Sequence, residues 1–139
     1  METAQVALQP GVQSVYRITC YYPHDLPPNS VATLVSSRTG PPTLTVARES
    51  MTPQVNAHTL DLGQFRALTS AFSTLRFDKL EDQPDIPAQG VRLWLVERAA
   101  GGFSKSVLLS PQPATGVHQN LIYRLHEALP QAIEPSGMA

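Results

Sequence analysis

The sequence predicts an α+β fold: one antiparallel sheet of about five strands, in the order β-β-β-α-β-β-α, with two helices packed on one face. Three observations predict it. Apolar residues alternate with period two in several short segments. Two longer segments repeat them at helical spacing. The segments do not follow the regular strand–helix–strand order of a parallel sheet. The 13 prolines supply the punctuation: they fall at 10, 23–28, 41–42, 53, 84–87, 111–113, 130 and 135, and the periodic segments lie between them. Proline cannot donate to a ladder and breaks helix interiors, so these positions mark loops.

Residues 14–22, "SVYRITCYY", alternate, with Tyr16, Ile18, Cys20 and Tyr22 on one side and Val15, Arg17, Thr19 and Tyr21 on the other. This is a strand with one buried face, ended by Pro23. Residues 31–37 and 43–48 read as two more strands, joined as a hairpin by the turn cluster "RTGPP", with Leu44 and Val46 facing the core. The polar stretch "ESMTPQVNAH" reads as a connection to the first helix, about residues 61–75. Asp61 is placed to cap that helix and Gln64 to complete a capping box. Leu60 and Phe65 have the spacing of a hydrophobic staple. Phe65, Leu68, Phe72 and Leu75 form its apolar stripe.

Residues 78–90, "DKLEDQPDIPAQG", are a polar, acidic, proline-broken loop. "VRLWLVER" and "GFSKSVLLS" then flank Ala99-Ala100-Gly101-Gly102, a hairpin whose glycines allow a tight reversal. "VRLWLV" is apolar on both faces, as a central strand is. The last helix carries Leu121, Ile122, Leu125, Ala128 and Leu129 on one stripe, with Thr115 as a possible cap and Pro130 at its end. The 139 residues suit a single domain, 1–139, with an ordered core over about 12–133 and flexible tails.

Composition narrows the function classes. The formal net charge is −1 and 15% of residues are charged, so no electrostatic footprint for nucleic acid is present. No apolar run reaches the length of about 18 residues that a membrane span needs. The start lacks a basic segment followed by an apolar one, so no signal peptide is expected and the cytoplasm is the default compartment; a chain whose signal had been replaced by methionine would read the same way. The lone Cys20 rules out an internal disulfide and a multi-thiolate zinc site.

"CYYPHDLPP", residues 20–28, gathers the residue types of nucleophilic catalysis. Strand alternation nevertheless puts Cys20 inside with Ile18, and no helix fixes His24 beside the sulfur. The four histidines lack ligand spacing, so neither a metal nor a cofactor is expected. Glu81, Asp82 and Asp85 lack the spacing of a calcium loop and read as a solvated acidic loop able to meet a basic partner. Arg92 and Trp94 alternate with the Leu93 side of their strand. With Tyr21 they would form an aromatic, cationic surface on the sheet face the helices leave open, unless Trp94 is simply core, the placement favoured by how often tryptophan is buried.

The expected contact residues are therefore Tyr21, His24, Asp25, Arg92, Trp94, Glu81, Asp82 and Asp85. Three readings follow. One is a non-catalytic protein-binding module of the small bacterial inhibitor, immunity or adaptor kind. Another is a homo-oligomer that buries its open sheet face. The third is a small enzyme or ligand carrier using Cys20, His24 and Asp25. The missing catalytic set favours the first.

Overall fold

The computed structural model describes residues 1–23, 28–49, 54–130 and 132. They form one six-stranded antiparallel sheet in the spatial order β4-β3-β2-β1-β5-β6 and three helices. The strands are β1 (Val12–Tyr21), β2 (Ser30–Ser37), β3 (Thr43–Arg48), β4 (Gln54–Thr59), β5 (Leu93–Ala100) and β6 (Phe103–Leu109). The helices are α1 (Thr3–Ala7), α2 (Leu62–Thr74) and α3 (Gly116–Ala128). The α+β class and the antiparallel sheet agree with the sequence reading. The count is higher by one strand.

The longest strand, β1, lies inside the sheet and pairs with both β2 and β5. Its inward residues are those the alternation predicts: Tyr16, Ile18, Cys20 and Tyr22 are all buried. Leu34 on β2, Leu44 and Val46 on β3, and Val96 on β5 share their face. Leu68 and Phe72 of α2 and Leu121 and Leu125 of α3 close over that face and complete one core. Its aromatic centre is a chain of rings. Tyr16 meets Phe72 edge-on at 4.9 Å, and Phe72 meets Phe77 at 4.5 Å.

The start of α2 follows its sequence signal. Asp61 Oδ1 accepts from the Gln64 backbone N–H at 2.7 Å. The Gln64 amide nitrogen donates to the Ala128 carbonyl at 3.4 Å, which ties the start of α2 to the end of α3. Thr115 occupies the cap position of α3 but makes no side-chain cap bond.

Three features differ from the expectation. Residues 54–59, expected as connection, form β4. It lies at the sheet edge with nearly every residue exposed, so no apolar alternation marks it. The first residues, expected as a tail, form α1. Its Ala7 packs with Val15 and Ala99 on the face opposite α2 and α3. Ala99 and Ala100, expected in the turn, continue β5. Ala100 pairs with Phe103, which leaves a two-residue reversal in which Gly101 takes φ +56°.

Candidate functional site: the open sheet face

Register determines what the face opposite α2 and α3 displays. Residues directly opposed in adjacent antiparallel strands lie on the same face. One row across the sheet therefore runs Ala57, Thr45, Thr33, Arg17, Glu97, Ser106, and it is polar. Short helix α1 fastens this row. Thr3 Oγ1 donates to Glu97 Oε2 at 3.1 Å, and Arg17 Nη1 donates to the Met1 carbonyl at 2.9 Å. Arg17 Nε also donates to Thr33 Oγ1 at 3.0 Å. Arg17 and Glu97, opposed in register, are thus each occupied by neighbours.

The adjoining row is different. It runs Val55, Ala47, Val31, Thr19, Leu95, Leu108 through every strand of the sheet. Tyr21 and Leu93, a register pair, extend it. Val31, Leu93, Leu95 and Leu108 are only half-buried. Tyr21 is 45% and Val55 66% exposed. The helix packed on this face, α1, sits over the other end, at Val15 and Ala99. Apart from Thr19, which is 9% exposed, the row is apolar, and a partly exposed apolar band of this length is unusual on a sheet face.

The expected contact residues divide between this face and others. Tyr21 stands on the band, turned away from the buried Tyr22. Trp94 does not: it opposes Cys20 in register and is 3% exposed in the core under α3, its ring 5.7 Å from that of His126. The covered face of β5 is thus the Trp94–Val96 side, and the Leu93–Leu95 side is open, so Trp94 takes the core placement rather than the surface one. Both sides of "VRLWLV" are apolar, so hydrophobicity could not distinguish them. Burial pushes the His126 imidazole below its ordinary pKa, since contact with the core disfavours the charged ring. Trp94 Nε1 is buried with no acceptor among the described residues. Arg92 shares Trp94's side of the strand, and its guanidinium lies over the Tyr22 ring at 5.5 Å, a cation–π lid on the end of the core. His24 and Asp25 lie outside the described residues.

The acidic loop is a strap. Leu108 directs its backbone away from β5, and the loop takes both groups: its N–H donates to Asp82 Oδ1 at 2.8 Å, and its carbonyl accepts from Gln83 N at 3.0 Å. Gln83 Oε1 accepts from Ser110 N at 3.0 Å. The Glu81 carbonyl lies 2.8 Å from His118 Nε2, which reaches it from α3. Asp82 therefore closes part of the β6 edge rather than facing solvent unengaged. Glu81 and Asp85 are exposed, and Asp85 takes φ +59°. Asp78 is held by Arg98 through two bonds of 3.0 Å.

Cys20 is fully buried between Ser30 and Trp94. Among the described residues no three His, Cys, Asp or Glu side chains converge as metal ligands. No described helix is long and apolar enough to cross a membrane. The band escaped sequence reading because each strand contributes one or two unremarkable residues to it. Only the register assembles them. No protein-family model matches this chain, and no curated protein matches it in sequence.

Proposed function

We propose that the protein is a non-catalytic protein-binding module whose contact surface is the open sheet face, centred on Leu95, Leu93, Val31 and Tyr21. One observation carries this reading: an apolar band crosses the sheet, and α1 leaves it uncovered. Interfaces of this kind place apolar and aromatic residues at the centre and polar groups around them. Here the Arg17–Glu97 row and the hydroxyls of Thr33, Thr45 and Ser106 supply that polar margin. The band's residues sit on paired strands, which lowers the ordering cost when a partner docks. The near-neutral charge fits recognition by shape and apolar contact rather than by long-range steering.

The test is affinity capture from the native cell extract with wild type and Leu95→Lys side by side, followed by titration calorimetry with the captured protein. Leu95 is half-buried on the open face, so the lysine head can reach water and the fold survives. A partner held by wild type and released by Leu95→Lys and by Tyr21→Ser is the expected result. A partner bound equally by all three, or no partner, refutes the reading.

A further inference from the structure

The two edges of the sheet are finished differently. The strap at Asp82 and Gln83 covers part of the β6 edge. Among the described residues nothing pairs with the outer edge of β4. Its six residues pair with β3 in unbroken register from Gln54–Arg48 to Thr59–Thr43. The phase of that ladder follows from the next bond along it, Leu60 N–H to the Pro42 carbonyl at 2.9 Å. Antiparallel pairs alternate, so Gln54, Asn56 and His58 bond to β3, and Val55, Ala57 and Thr59 turn their N–H and C=O groups outward. Proteins blunt such edges with bulges, prolines, lysines or a covering segment. Within "QVNAHT" there is no bulge, no proline and no Lys, Arg, Asp or Glu, and every residue but His58 is exposed.

We propose that β4 is a homotypic pairing edge: β4 of a second copy joins it antiparallel about a two-fold axis at Ala57. The pairing uses the backbone edge of β4, and although Val55 also belongs to the band on the open face, the inference does not depend on that reading. The segment itself argues for a second copy as the occupant. Opposed residues must share a face, and Val55, Ala57 and Thr59 share one. Placing Ala57 opposite Ala57 puts Val55 opposite Thr59 on both sides of the axis, and all the outward groups are paired at once. On the other face Asn56 meets His58, a pair able to exchange a hydrogen bond. The residue at the axis is small, so the two backbones approach without a clash. The segment carries no formal charge that would repel its own copy. An interface built from one patch on both subunits is the usual form of a symmetric dimer.

The experiment is sedimentation velocity from micromolar to millimolar concentration, with amide exchange read residue by residue. Wild type is expected to reach twice the mass of the 15.1 kDa chain. Its Val55, Ala57 and Thr59 amides should become protected as the dimer forms. Ala57→Pro removes an outward N–H and no bond to β3, so it should keep the fold and hold the protein at the monomer mass. Ala57→Lys, which sets two like charges side by side at the axis, should do the same and serves if the proline variant fails to fold. A wild type that stays monomeric throughout overturns the inference. So does a dimer that survives both folded variants, or one whose three amides exchange freely.

Discussion

Gln83→Ala isolates the strap that finishes one sheet edge. Ser110 is fully buried, and its N–H donates to Gln83 Oε1. Its hydroxyl is engaged separately, donating to the Arg92 carbonyl at 2.7 Å. Truncating Gln83 leaves the Ser110 N–H without an acceptor among the described residues, which costs about 1–3 kcal/mol. The adjoining bond from Leu108 N–H to Asp82 is solvent-exposed, and its loosening adds about 0.5–1 kcal/mol. The expected loss is about 1.5–4 kcal/mol against a total of about 5–15 kcal/mol, so the variant remains folded at room temperature. Urea melts should show a lower midpoint with an unchanged slope. Amide exchange should show faster exchange at Ser110 and Leu108 ahead of the β1 amides. A loss below about 0.5 kcal/mol with Ser110 still protected would refute the strap's role.

Other perturbations test separate parts of the structure. Phe72→Ala removes a side chain 5% exposed between two aromatic rings and should cost about 3–5 kcal/mol in the same melts; a neutral result would place the α2 face wrongly. Asp61→Ala deletes the acceptor for the Gln64 N–H and should cost about 1 kcal/mol, with Asp61→Asn recovering most of it. His126 is held below its ordinary pKa of 6.5, so the unfolded chain binds the proton more tightly. Stability is then lost as pH falls below 6.5, and the loss levels off below the folded-state pKa. Melts at about pH 8 and about pH 5 should show a smaller acid-induced drop for His126→Gln than for wild type; equal drops would discount the burial effect. Native Cys20 should resist thiol reagents and react only on unfolding, and rapid native labelling would reopen a nucleophilic role.

Much of this protein is legible in its residues because the information is local. Alternation in "SVYRITCYY" depends only on which face of one strand meets the core, and the Asp61 cap is a bond between residues three apart at one helix start. What escaped was non-local. The edge strand β4 buries almost nothing, so it leaves no hydrophobic period to read. Trp94 and Leu95 are both apolar, and only the docking of α3 beside His126 decides that tryptophan goes inward. The acidic loop looked solvated because its partner groups, Leu108 and Ser110, are backbone atoms more than twenty residues away. By itself the sequence determined the class, the capped helix and the faces of β1 and β3, since each follows from burial of a single periodic segment. The tertiary structure alone decided the apolar band, the strapped edge and the β4 edge. These are properties of strands laid in register, and no one segment contains them.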